Sequence, residues 1–344
     1  MEDNTQIVLV TGGSGFVGSY CVLQLLNAGY RVRATLRSPE KAEKVRTMLQ
    51  QAGIKDLTRL SFAEADLSRD EGWNEALQDC TYVLHLASPF PGPKDGNGNE
   101  IIDPAREGTL RVLESARTAG VKRVVMTSSF AAVGYSRDPA GHVFTENDWT
   151  DPEKPGLGVY ARSKTLAERD AWNFVQKHGN RPELTVINPV AIFGPVMGSN
   201  ISGSVQMVVQ LLSGKAPGAP KLTFGVVDVR DIADLHIRAM TAPAAAGQRF
   251  LATSEGSMSL PAIARLLRKH YPAHKRKIPR RTLPDWSVKI LAWFRDDLKQ
   301  MIPELGKEKI ISGEKARTIL NWRPRPMKEV IRATADSLIR RGVV

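Results

Sequence analysis

Short apolar runs rich in β-branched residues alternate along this chain with longer stretches whose apolar positions recur every three or four residues. The runs lie at Ile7–Val10, Arg31–Leu36, Thr58–Ala63, Tyr82–Leu86, Val121–Thr127 and Leu184–Asn188. The stretches between them, Phe16–Ala28, Pro39–Gln51, Pro104–Thr118 and Tyr160–His178, read as helices. Strand and helix in turn is the signature of βαβ units on a parallel sheet, with right-handed crossovers placing helices on both faces. The expected fold is therefore α/β, a doubly wound parallel sheet of the Rossmann type whose ligand sits at the carboxyl ends of the strands. Pro104 is expected in the first turn of its helix, where a missing N–H costs nothing.

Past Pro189 the pattern changes. Gly, Pro and Ser crowd Gly194–Pro220 and the alternation lapses. A dinucleotide-binding domain is expected over 1–190, with 191–344 forming mainly a smaller C-terminal substrate-binding lobe. A strand at Leu222–Val229 leads into a helix beginning near Asp231, and this pair, around 222–241, is a candidate to pack back onto the first domain. A strand at Arg249–Ala252 and a helix at Leu260–Lys269 follow. An amphipathic segment, Trp286–Met301, is expected to pack Trp286, Ile290, Trp293 and Phe294 against the domain.

Composition narrows the class. Over 344 residues, 42% hydrophobic and 24% charged content suits a globular enzyme and excludes a disordered chain or an integral membrane protein. No apolar run approaches the roughly 20 residues that span a bilayer. The acidic start Met1-Glu2-Asp3-Asn4 has no basic leader region, so a cytoplasmic location is expected. Two cysteines, Cys21 and Cys80, argue against a disulfide framework or a metal knuckle, and no metal is expected. The net charge of +12 raises the question of nucleic acid, the densest basic run being Lys275-Arg276-Lys277 with Arg280-Arg281. That run has no interleaved aromatics and no DNA-binding motif, so it reads as a solvated surface or a field that steers anionic ligands. Neither a nucleic acid nor a membrane is expected as a partner, and monomer and homodimer both stay open.

Thr11-Gly12-Gly13-Ser14-Gly15-Phe16-Val17-Gly18 joins the first strand to the first helix and satisfies G-x-G-x-x-G. Glycines let the backbone turn tightly and let a pyrophosphate approach, while free N–H groups and the positive helix end favour the anion. Thr11, Gly12, Ser14, Gly15, Phe16, Val17 and Gly18 are thus candidate cofactor contacts. The second strand selects the cofactor. An acid about 20 residues past the glycines holds the ribose 2′-hydroxyl of NAD, whereas a cation there receives the 2′-phosphate of NADP. Here the chain reads Arg33-Ala34-Thr35-Leu36-Arg37-Ser38. Arg37, assisted by Ser38 and Lys44, is placed to fork onto the phosphate, which points to NADP(H). Asp66-Leu67, just past the third strand, is placed to meet the adenine.

The candidate chemistry lies in Tyr160-Ala161-Arg162-Ser163-Lys164 at the start of a helix, where Tyr160 and Lys164 stand one turn apart on one face. A tyrosine hands its proton to a carbonyl oxygen when its pKa falls toward the working pH, and a nearby ammonium favours the phenolate. The same lysine is within reach of the nicotinamide ribose. Ser129, beyond the fifth strand, would orient and polarise the carbonyl.

These pieces carry a family resemblance. With Leu84-His85-Leu86-Ala87-Ser88-Pro89-Phe90, Thr127-Ser128-Ser129, Asn188-Pro189-Val190, Phe193-Gly194-Pro195, Asp228-Val229-Arg230-Asp231 and Leu320-Asn321-Trp322-Arg323-Pro324, the chain resembles the extended short-chain dehydrogenases/reductases. Within them it is similar to the branch of dihydroflavonol reductase-like enzymes and aldehyde or methylglyoxal reductases. The resemblance implies Ser129 rather than Ser128 as the catalytic serine, Ala87 along the cofactor, and Pro189 and Val190 along the nicotinamide amide. It also implies hydride transfer from the reduced nicotinamide to a carbonyl carbon, with Tyr160 as general acid. Plant dihydroflavonol reductases carry an Asn five residues past the serine that reads flavonoid hydroxyls; this chain has Gly134, which speaks against a flavonoid.

The expected function is NADPH-dependent reduction of aldehydes or ketones, a reversible oxidoreduction of a small carbonyl compound. Its pocket would be formed by Phe90, Phe130, the loop Phe193–Met197 and the C-terminal lobe. Two rivals share the fold. A nucleotide-sugar epimerase or dehydratase would use the same Ser, Tyr and Lys, but Thr127-Ser128-Ser129 lacks a dehydratase's acids and Arg37 does not suit a tightly held NAD. A non-catalytic NADP sensor would not need Tyr160, which is retained.

Overall fold

Alternation along the strands sorts the core into two layers. In the computed structural model, which describes residues 5–88, 99–293 and 302–344, seven strands form one sheet: β1 (Ile7–Thr11), β2 (Arg31–Leu36), β3 (Leu60–Glu64), β4 (Cys80–His85), β5 (Arg123–Thr127), β6 (Glu183–Pro189) and β7 (Arg249–Ala252). Their order is β7-β6-β5-β4-β1-β2-β3, and every ladder between neighbours is parallel. Because side chains alternate faces, Val8 and Val10 of β1 enter one core while Leu9 between them enters the other. Strand order reverses between β1 and β4, and the crevice at that switch point is where such sheets bind ligands.

The helices α1 (Phe16–Asn27), α2 (Lys41–Gln51), α3 (Trp73–Leu77), α4 (Asn99–Thr118) and α5 (Val159–Lys177) connect the first six strands. The five residues of α3 are too few to display a helical period, yet its Trp73 is a fully buried anchor of the second core. Pro104 does not open its helix. It lies inside α4, where the chain forgoes one bond to the carbonyl of residue 100 and gains the packing of Ile102 ahead of the proline, which is 7% exposed.

Beyond β6 the chain builds a lobe and returns to the sheet. The helix α6 (Gly203–Ser213) occupies part of the segment expected to be irregular, with the Ser202 hydroxyl accepting from the Val205 N–H at 3.3 Å. The strand expected at Leu222–Val229 is broken at Gly225 into Thr223–Phe224 and Val226–Asp228. A Cβ at Gly225 would lie 2.8 Å from the Val190 side chain, so the backbones meet only because that residue is glycine. Val229 begins the helix α7 (Val229–Thr241), capped by the Asp228 carboxylate. This helix packs into the first core beside α1, and β7 adds the sheet's outermost strand next to β6, so residues 229–252 belong to the sheet layer. The lobe core gathers α6, α8 (Leu260–His270) and the final helix.

A short helix α9 (Asp285–Leu291) departs from expectation. Val288 and Ala292, four apart, face inward, leaving Trp286, Ile290 and Trp293 at 66%, 48% and 79% exposure. Phe294 lies outside the described residues. The chain closes with α10 (Glu314–Leu320) and α11 (Met327–Arg340). Between these two, Trp322 is fully buried and donates from its indole N–H to the Asp231 carbonyl at 2.9 Å, fastening the end of the chain onto α7. No helix among the described residues is long and apolar enough to cross a membrane.

Trp322→Ala is expected to lower the unfolding free energy by about 3–5 kcal/mol, the usual cost of emptying a buried tryptophan site. Denaturant titration measures it, and a loss below about 1 kcal/mol would show that the closing segment is dispensable to the core.

Candidate active site

The switch point is fixed by the residues that end β1 and β4. Thr11 Oγ1 accepts from the N–H groups of Leu86 and Ala87 at 3.0 and 2.9 Å and is hydrogen bonded to His85 Nδ1 at 3.0 Å. Burial, and next the charge of Lys164, push the pKa of His85 down to about 3, so it is a neutral link between the strands. Gly12 has φ +67°, and a Cβ there would press on Ala87 at 3.2 Å. A Cβ on Gly18 would come within 2.2 Å of the Gly12 carbonyl oxygen. Gly15 caps α1, whose first-turn N–H groups have no acceptor within the helix. Close-lying backbone, N–H groups and the positive helix end together fit a dinucleotide pyrophosphate. Asn200 of the loop after Gly194 donates to the Ser14 carbonyl at 2.6 Å, so the lobe reaches the same loop.

Of the three arginines on β2 and its exit, Arg33 is committed to structure. Arg33 donates to the carbonyls of Glu75, Ala76 and Gln78 at 3.3, 3.0 and 2.7 Å, closing the end of α3. Arg37 and Lys44 are both exposed, at the end of β2 and on α2. Asp66 Oδ1 accepts from the backbone and hydroxyl of Ser68 at 2.9 and 2.8 Å. These bonds, with Arg37 a lesser contributor, hold its pKa below the ordinary carboxylate value. Leu67 packs under Gly108 of α4, where a Cβ would be 2.8 Å away.

Ser129, Tyr160 and Lys164 come together. Ser129 opens a short turn over residues 130–132, its Oγ accepting from the Ala131 N–H at 3.1 Å, and its side chain is near enough to Tyr160 to act on that phenol's pKa. Lys164, one turn along α5, donates to the Ser88 hydroxyl at 3.0 Å, and burial pushes its pKa down to about 8 against the opposing pull of Glu168. Tyr160 differs from the expectation of a lowered pKa. Burial raises it, Ser129 works in the opposite direction, and the lysine, engaged with Ser88, is not among the causes.

Behind this trio lies a polar layer that the sequence did not reveal. Glu168 is fully buried. Its Oε2 accepts from Ser128 Oγ at 2.5 Å and Asn188 Nδ2 at 2.7 Å, and its Oε1 from Arg249 Nε at 2.6 Å. Asn188 also donates to the Ser129 carbonyl at 3.2 Å. The Arg249 guanidinium lies 3.7 Å over the Trp149 ring and donates to the carbonyls of Glu146 and Asp148. The available signal was spacing: Glu168 follows Lys164 by four residues, on the same face of α5.

The expected substrate wall is only partly brought together. Phe90 lies outside the described residues. Phe193 is fully buried in the lobe core, stacked on Phe224 at 5.9 Å, and has no surface to offer a ligand; strand pairing with Val226–Asp228 turns it inward. Met197 is partly buried and packs against the first core, the cluster that also holds Phe130 and Val190. Phe130 stands next to Ser129, edge-on to Phe144 and Tyr135. A Cβ at Gly134 would lie 2.5 Å from the Phe130 ring and 2.9 Å from that of Phe144, so no asparagine fits there. Pro189 and Val190 are buried at the end of β6.

The chain belongs to the NAD dependent epimerase/dehydratase family, whose model matches residues 8–251. Among its relatives is a cinnamoyl-CoA reductase of Medicago truncatula, 38% identical over 273 residues that cover 78% of this chain and 81% of that one. A dihydroflavonol 4-reductase of Zea mays is 35% identical over 274 residues, 78% of this chain and 75% of that one. Among solved structures, yeast methylglyoxal/isovaleraldehyde reductase Gre2 complexed with NADPH superposes with a TM-score of 0.80 at 28% identity, covering 98% of this chain and all of that one.

Gly18→Ala forces the Cβ into the Gly12 carbonyl, an overpacking worth about 1–3 kcal/mol. NADPH affinity, followed by fluorescence titration, is expected to fall roughly tenfold or more. Unchanged affinity would show that the glycine loop does not hold the pyrophosphate.

Proposed function

We propose that this chain is an NADP-dependent reductase that converts an aldehyde or ketone to the alcohol, reversibly. The observation that carries the reading is that Ser129 and Tyr160 come together, one helical turn from Lys164 and at the carboxyl ends of the strands. NADPH supplies the hydride that the carbonyl carbon receives. Ser129 polarises the carbonyl oxygen, and Tyr160 delivers its phenolic proton to that oxygen as the alcohol forms. Lys164, held at the Ser88 hydroxyl, offers its ammonium to the nicotinamide ribose. Arg37, with Lys44, receives the 2′-phosphate; Thr11, Gly12, Ser14, Gly15, Phe16, Val17 and Gly18 hold the pyrophosphate; Asp66 and Leu67 border the adenine. Ala87, Pro189 and Val190 line the nicotinamide. The substrate lies against Phe130, with Tyr135 packed edge-on beside that ring. The reductases among its relatives support this chemistry.

Loss of NADPH absorbance is to be followed against aryl aldehydes, methylglyoxal, diketones and bulky ketones. Tyr160→Phe is expected to lower kcat/KM by about 10²–10⁴. Arg37→Ala is expected to raise the KM for NADPH about tenfold or more, the value of a charged hydrogen bond, while leaving NADH unaffected. Tight NADPH binding without turnover of any carbonyl would overturn the reading.

The pH profile gives a separate check. Lys164 carries its charge below about pH 8, so kcat/KM, which reports the free enzyme, is expected to fall as pH rises through that value. Glu168→Gln removes the charge that holds this pKa up, and the alkaline limb should move to lower pH. A limb that stays in place would separate Lys164 from the profile.

A further inference from the structure

The end of the basic run, Arg280-Arg281, lies along one side of a cavity. Arg265 and Arg268 stand three residues apart on α8, hence on one face. Across from them, the segment entering the short Thr282–Leu283 strand brings Arg280 and Arg281, and the four line a cleft of about 220 Å³ floored by Ala219 and Ala264. The two walls are tied together. Arg268 donates to the Ile278 carbonyl at 3.2 Å, and the Ala219 N–H donates to the Arg281 carbonyl at 3.0 Å. Among the described residues, no carboxylate lines the cleft.

Several arginines elsewhere in the molecule meet a carboxylate, among them Arg123 with Glu183, Arg230 with Asp228 and Arg249 with Glu168. Here, among the described residues, none of the four forms such a pair. The negative end of α8 accounts for Arg268 in its last turn; it does not account for Arg265, Arg280 or Arg281. Gathering like charges at a concave surface costs free energy unless an anion neutralises them. Guanidinium groups present paired N–H donors that match phosphate oxygens. The volume is below the roughly 300–1,000 Å³ of pockets that enclose drug-sized ligands, which selects a compact group.

We propose that this cleft binds a phosphate or pyrophosphate group, free or carried at one end of a larger molecule. None of its lining residues belongs to the glycine loop, β2 or α5, so it is separate from the cofactor and catalytic residues.

Calorimetric titration with inorganic pyrophosphate, and in parallel with glycerol 3-phosphate, tests the site while saturating NADP⁺ fills the glycine loop. Saturable binding is expected, with each of Arg265→Glu and Arg281→Glu weakening it about tenfold or more. Both side chains are exposed, and unchanged thermal unfolding of the variants verifies their fold. Tighter binding of pyrophosphate identifies the free anion, and tighter binding of the ester identifies a carried group. No saturable binding, or binding that both variants leave intact, would overturn the proposal.

Discussion

A buried carboxylate holds the catalytic layer in place. Desolvating an ion costs several kcal/mol unless hydrogen bonds and an opposite charge repay it, and Glu168, fully buried, is met by the Ser128 hydroxyl, the Asn188 amide and the Arg249 guanidinium. Those three partners sit on the exit of β5, on β6 and on β7. Glu168 itself sits on α5, one turn beyond Lys164. The helix that carries Tyr160 and the strand end that carries Ser129 are therefore pinned to each other through one side chain. Breaking one partner leaves an uncompensated charge, so the register between helix and sheet is specified strongly even where apolar packing alone would tolerate sliding.

A second tie sets where the cofactor meets this layer. Thr11 draws the exit of β4 against the glycine loop, and Gly12 permits the backbones to approach where a Cβ would collide with Ala87. One residue further along that exit, Ser88 accepts from Lys164. The proposed pyrophosphate cradle and the proposed proton-handling residues are thus linked by a few residues of one strand end. That explains why the active residues come from four separate parts of the chain and still stand at one edge of the sheet.

Much of this was legible in the sequence. All seven parallel strands and the glycine loop follow from short apolar runs, a helix signal and glycine chemistry, and the Tyr160/Lys164 spacing placed both on one helical face. Elements decided by tertiary context were not legible. Five residues of α3 carry too little periodicity, α6 was hidden by surrounding Gly, Pro and Ser, and Pro104 is tolerated inside α4 because packing outweighs one lost bond. Glu168 in a helix reads like any solvated acid, and its burial depends on Arg249, 81 residues away. Phe193 shows the converse: an aromatic beside a glycine turn suggests a pocket wall, and only strand pairing reveals that it faces the lobe core.

Gly134 bears on substrate choice within the proposed reduction. The rings of Phe130 and Phe144 occupy the space that a side chain at 134 would need, so this position offers no donor or acceptor to a hydroxylated substrate. A site that hydrogen-bonds a substrate hydroxyl rejects analogues lacking it by about 10⁴–10⁵, whereas an apolar wall separates substrates by only about 1–3 kcal/mol per methylene. At this position, then, selection rests on shape and on the fit of the carbonyl to Ser129 and Tyr160. A pocket with such a wall accepts carbonyl compounds of varied outline more readily than it distinguishes one polyhydroxylated ring from another.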